Sequence, residues 1–176
     1  MAEDSIREAW ALAYAQQSAS DFAVFRLLNA TTEYPRCHAL HYLQMATEKI
    51  AKAYRFRDTD TSIAPLLTKH TAFSKFFQNF LKSPEIKKRY GGREAQLRET
   101  IKACTKLARE VEQLAPAVDR SESPENAEYP WIHGDQIITP CEHSYPNLSL
   151  LNAPSGRKFL VLIEIAIRDF SEIRIR

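Results

Sequence analysis

Glycine is scarce in this chain, with four in 176 residues. No G-x-G-x-x-G run and no Walker-type loop is present, and Gly91-Gly92 alone signals a turn. Dinucleotide-binding and P-loop chemistry are therefore excluded as motif-based readings. Long apolar runs are also lacking. The longest, Phe159 to Ile167, is interrupted by Glu164 and falls short of the roughly 18 residues a membrane span needs. The acidic start MAEDSIREAW has no signal-peptide core. The three cysteines, 37, 104 and 141, are an odd number without framework spacing. Reduced thiols in a cytoplasmic protein, with no membrane partner, are the expectation. No internal repeat and no low-complexity tract stands out.

What is present is an ordinary globular mixture, 44% hydrophobic and 26% charged. A net charge of +2 hides a strong asymmetry: residues 1–34 carry −3, 35–115 carry +8, 116–155 carry −5 and 156–176 carry +2. A basic middle suits phosphate contacts. The plainer alternative is that the acidic segment packs beside the basic one and neutralises it.

Helical periodicity dominates the rest. Residues 5–30 place Ala9, Leu12, Ala13, Phe22, Phe25 and Leu28 at helical spacing, with small residues at 18–20 where close packing or a kink fits. Residues 35–56 form the clearest helix, opened by Pro35. Its stripe Ala39, Leu43, Ala46, Ile50 and Ala53 is narrow and rich in small side chains, which permits close approach of another helix. Residues 57–68 read as a connector. Thr68 is the expected cap of a helix whose Phe73, Phe76, Phe77 and Phe80 make an aromatic core face. Residues 82–92 read as a basic turn, beginning with at most a helical turn after Pro84. A long helix follows over 93–115, with the stripe Leu97, Ile101, Cys104, Ala108, Val111 and Ala115. Pro116 ends it. Residues 116–155 hold six of the nine prolines and no period. They also hold Tyr129, Trp131, Ile137, Ile138 and Tyr145, too many apolar groups for a floppy linker. They read as an ordered excursion with a short hairpin around 136–139. A last amphipathic helix covers 156–171. The expectation is a single all-α domain over 1–176, an antiparallel bundle of about five helices with a long Pro-rich excursion before the last.

The second helix resembles that of the HEPN domains, a family of small helical bundles. Tyr34-Pro35 leads into Gln44-Met45-Ala46-Thr47-Glu48-Lys49-Ile50-Ala51-Lys52-Ala53, similar to a recurrent core of that family. Lys69-His70-Thr71-Ala72-Phe73 is similar to its next helix start. Ser20-Asp21-Phe22 and Glu128-Tyr129-Pro130 are similar to further family segments. The likeness covers 10–81 well and 93–171 loosely. The resemblance implies a nucleotide- or RNA-associated binding module, either homodimeric or paired with a nucleotidyltransferase-like protein. It implies as an alternative a metal-independent endoribonuclease, acting as a toxin or defence effector, and as a third a helical scaffold without a small ligand. No cofactor is implied.

Arg36 and His41 fit the Arg-x4-His spacing of the family's ribonucleases and are the candidate catalytic pair. An imidazole serves as general acid or base, and a guanidinium stabilises phosphorane charge. A chain with this many Arg and His residues carries about one such spacing by chance, so the structural reading, two boundary residues of a core helix, stands beside the catalytic one. The candidate nucleotide- or RNA-contacting residues are His38, Lys49, Lys52, Lys69, His70, Lys87, Lys88, Arg89 and Tyr90. The densest basic run, Lys87 to Arg93, places Tyr90 among cations, a combination that grips phosphates and stacks a base. His38 and His41, with Cys37 adjacent, are a helical pair that Asp135, Cys141 and His143 would complete as a metal site only by converging on it. No dense Cys/His spacing predicts that, so no metal is expected.

Overall fold

A computed structural model describes residues 3–60, 62–68, 72–115 and 118–173. The described chain is all-α apart from one two-stranded hairpin. Helix α1 spans Glu3–Asn29 and α2 Arg36–Phe56. The two pack along their length because both present small residues at the seam. Ala11, Ala15 and Ser18 face Ala39, Ala46 and Ala53, all buried. The backbones come close enough for Ser18 Oγ to donate to the Ala46 carbonyl at 2.7 Å. Lys49 and Asp21 close the same seam with a 2.5 Å ion pair.

The segment expected as a connector contains a short helix, α3 (Ile63–Thr68). Pro65 is tolerated there because N–H groups of a first helical turn have no intrahelical acceptor. Leu66 anchors the turn in the core. Thr68 is therefore the end of α3, and its hydroxyl bonds back to Pro65 O; it does not cap the Phe-rich helix. That helix, α4 (Phe73–Leu81), starts after Ala72 with no local side-chain cap. Its first turn is satisfied from a distance: Glu112 accepts from Ser74 N at 3.2 Å and from Ser74 Oγ at 2.6 Å. Phe73, Phe76, Phe77 and Phe80 meet Tyr54 and Phe159 in tilted and edge-on ring pairs and one another in tilted and stacked ones. Fully burying each such side chain is worth about 1.5–3 kcal/mol, so this cluster is a major part of the core.

The basic turn is also more regular than expected. It is a full short helix, α5 (Pro84–Tyr90), capped by Ser83 Oγ on Ile86 N and ended by Gly91 in the left-handed region at φ 53°. Helix α6 (Glu94–Gln113) follows directly, with Cys104, Ala108 and Val111 buried and Arg98, Lys102, Lys106 and Arg109 exposed. The last helix, α7 (Pro154–Arg168), begins two residues earlier and ends three earlier than its periodicity suggests.

Residues 118–152 form the excursion. Strands β1 (Trp131–His133) and β2 (Gln136–Ile138) pair antiparallel as a hairpin, with Ile132 opposite Ile137. A 3₁₀ helix, Pro146–Asn152, leads into α7. Three side chains order it. Arg120 donates to the carbonyls of Gln113, Leu114, Ala115, Ser123 and Glu125, which caps the C-terminus of α6 and folds the chain back. Asn126 is buried and closes a turn on Pro124, Glu128 and Tyr129. Tyr145 is fully buried at a left-handed φ of 50°, with its hydroxyl on Asn126 O at 2.9 Å. Where the 3₁₀ helix meets α7, a Cβ on Gly156 would lie 2.2 Å from Leu150 O, so only glycine allows that approach. Among the described residues no helix is long and apolar enough to cross a membrane.

Candidate nucleotide-binding groove and the helix α2 rim

Two regions collect the chemistry-bearing side chains. The first lies where α5 turns into α6. Gly91 and Gly92, both at positive φ, fold the chain so that the last turn of α5 faces the first two turns of α6. A cavity of about 420 Å³ opens between them, lined by Lys87, Tyr90, Arg93, Glu94, Leu97, Arg98 and Ile101. Its floor is apolar, from Leu97 and Ile101, and its rim carries three cations and one carboxylate. Lys87 and Lys88 are exposed and have no carboxylate partner among the described residues. Arg93 Nε donates to Tyr90 O at 2.9 Å, which turns the guanidinium along the rim. Arg98 is only loosely paired, 3.7 Å from Glu94, with both side chains largely in water. Tyr90 is buried, its hydroxyl has no hydrogen-bond partner among the described residues, and Lys158 Nζ sits 4.9 Å above its ring.

Of the basic run, only Arg89 is neutralised among the described residues, by Asp169 at 2.5 Å. The acidic excursion does not do this. Its carboxylates Glu125 and Glu128 pair with His143 and His41 at the other region. The α5–α6 groove thus stays electropositive.

The sequence singled out Lys87, Lys88, Arg89 and Tyr90, and the structure places all four on α5. It adds Leu97, Arg98 and Ile101 from α6. Their signal was readable as Arg93, Leu97 and Ile101 at four-residue intervals just past the glycine pair, one face continuing the basic run. Lys49 and Lys52 lie elsewhere. Lys49 is held by Asp21, and Lys52 is buried against Glu48 at 3.2 Å with Nζ directed at Leu67 O. Both serve the α1–α2 bundle. Lys69 and His70 lie outside the described residues.

The second region is the first two turns of α2, covered by the excursion. Arg36 Nη2 donates to Leu148 O of the 3₁₀ helix at 2.6 Å, and burial lowers the guanidinium pKa from its ordinary value. His41 Nδ1 lies 3.3 Å from Glu128 Oε1, both partly exposed. Each candidate catalytic side chain is therefore engaged by a different part of the excursion. The chain matches no protein-family model, and no curated protein or solved structure is significantly similar to it.

Cys37, buried, and His38, exposed, share the first turn of α2 and meet Cys141 from the excursion. Their two Sγ atoms and one imidazole nitrogen all lie within 4.8 Å of one another. The two sulfurs are 3.8 Å apart. Burial, reinforced by the Cys141 thiol, pushes the Cys37 thiol up to about 11. The other residues weighed with them lie apart: His41 faces Glu128, His143 faces Glu125, and Asp135 sits in the hairpin turn. Cys104 is buried in α6, its thiol also pushed up to about 11 by burial, as expected of an inert core thiol.

Proposed function

We propose that the protein is a HEPN-like binding module that takes a nucleotide or a short single-stranded RNA segment in the groove between α5 and α6. The observation that carries this reading is the triangle of Lys87, Arg93 and Arg98 over the apolar floor of Leu97 and Ile101. Cations at a rim attract phosphates, and an apolar floor of this size accepts a base face. The cavity volume falls within the 300–1,000 Å³ range of small-molecule sites. Glu94 at the same rim disfavours a fully anionic ligand at that edge and orients the phosphates toward Lys87 and Arg93.

Fluorescence anisotropy with a labelled single-stranded RNA and with a labelled nucleoside triphosphate tests the reading. Binding should weaken as salt rises. Lys87→Ala combined with Arg93→Ala should lower affinity about tenfold or more, with a shallower salt slope for the RNA. Absence of binding to either probe at low salt, or affinity unchanged in the double variant, overturns it.

A second reading places an RNA-cleaving site at Arg36 and His41, and the His41–Glu128 contact favours it because a carboxylate orients an imidazole for proton transfer. Cleavage in the presence of EDTA that is abolished by His41→Ala separates it from the binding module. The associations the resemblance implies, a homodimer or a nucleotidyltransferase-like partner, are open to the same protein preparation by sedimentation analysis.

A further inference from the structure

We propose that Cys37, His38 and Cys141 form a binding site for a zinc-class divalent ion that fastens the excursion to the start of α2. Three observations point there. First, the donor set is two sulfurs and one imidazole, all within 4.8 Å of one another, and thiolate with imidazole selects zinc over calcium or magnesium. Second, the sulfur separation accommodates a metal ion. Two Zn–S bonds of about 2.3 Å at a tetrahedral angle set the sulfurs about 3.8 Å apart, whereas a disulfide holds them at about 2.05 Å. The two free thiols, with Cys37 Sγ donating to Cys141 Sγ, stand at 3.8 Å, which fits the tetrahedral edge and is too long for a disulfide. Third, the two segments that carry the ligands are already held side by side, by Arg36 Nη2 on Leu148 O at 2.6 Å and by His41 Nδ1 at 3.3 Å from Glu128.

The site has three ligands from this chain. Its fourth position faces solvent on the side of His38 and Cys141, both exposed, and is open to water. A sulfur–nitrogen edge of the same tetrahedron is about 3.6 Å, so the exposed His38 ring closes on the sulfurs by rotating about its side-chain bonds. Each cysteine binds as thiolate and releases its proton to the buffer; no oxidant is involved. Ligands from α2 and from the turn at 139–142 would then be bridged by the ion, adding to Arg36–Leu148 and His41–Glu128 as ties between the same two segments. This site is separate from the α5–α6 groove, and its test reads metal directly, so the two proposals fail independently.

The test is titration of the reduced, anaerobic protein with cobalt(II) as the probe, followed by competition with zinc. One cobalt per chain should bind with a tetrahedral visible spectrum and a thiolate-to-metal charge-transfer band. Cys141→Ser should abolish that band. His38→Asn should weaken binding by about tenfold or more. Cys104→Ser should leave both unchanged. Zinc should raise the melting temperature of the wild type and not that of Cys141→Ser. Cys141 is exposed, so its substitution tests the site even where Cys37→Ser perturbs packing; circular dichroism confirms that each variant is folded. Cobalt binding without a thiolate band, or a band that survives Cys141→Ser, overturns the proposal. So does a reduced protein that takes up no cobalt while air oxidation closes a Cys37–Cys141 disulfide.

Discussion

Gly156, in the first turn of α7, and Asp169, just past its end, show how much rests on single side chains. At Gly156 the missing Cβ is the contact: Leu150 O and the Leu151 backbone occupy the space at 2.2–2.4 Å. Backbone atoms cannot rotate away, so Gly156→Ala must push the 3₁₀ helix off α7. We expect it to cost about 2 kcal/mol or more, against the usual gain of alanine in a helix, measured as a lower urea midpoint. Asp169 is buried, and the Arg168 hydrogen bonds, with the charges of Arg168 and Arg89, hold its carboxyl below the usual carboxylate range. A carboxyl with a lowered folded pKa stabilises the fold above its unfolded value, about 3.9, and loses that contribution as pH falls through the folded value. Asp169→Asn should therefore cost about 1 kcal/mol at neutral pH, where both arginines are partly exposed, and less at an acid pH below the lowered folded value. Urea unfolding at the two pH values reads the difference.

At the scale of elements, the helices and the excursion were legible to different degrees. The stripe of α2 was plain in the spacing of Ala39, Leu43, Ala46, Ile50 and Ala53, because a helix writes its buried face into local periodicity. The aromatic face of α4 was legible for the same reason. The start of α4 was not, since its capping carboxylate, Glu112, comes from another helix. The excursion was legible as something ordered with a short hairpin around 136–139; the hairpin is there, but it spans 131–138 and residues 136–138 are its second strand. Its 3₁₀ helix and hairpin have no period, and their positions are set by Arg120, Asn126 and Tyr145 bonding to backbone groups rather than by repeating side chains. Arg120 carries the largest share, with five carbonyls on one guanidinium. Arg120→Ala should destabilise by about 2 kcal/mol, and Arg120→Lys should recover only a part, because an ammonium lacks the planar fork. Hydrogen exchange would locate the loss at the end of α6 and in residues 118–126. The two candidate sites divide in the same way. The cations of α5 stood out as a run, while the meeting of Cys37 with Cys141, 104 residues later, depends on the path of the excursion.

On the scale of the whole molecule, charge is distributed by the fold and not by the order of segments along the chain. The acidic excursion lies on the α2 rim, where it meets His41 and Arg36, and leaves the α5–α6 groove positive. The binding reading depends on that separation. The excursion also has a mechanical consequence. Its hairpin turn at Gly134–Asp135 is exposed, while its two limbs are fastened independently: residues 120–129 to the end of α6 and to His41, and residues 141–152 to α2 and α7. A protease cut at this tip should therefore leave fragments 1–134 and 135–176 travelling together in gel filtration, because α7 keeps Phe159, Leu162, Ile163 and Ala166 in the core. The two pieces, expressed separately, would be a natural split pair, reassembling around the Phe-rich cluster without a covalent link.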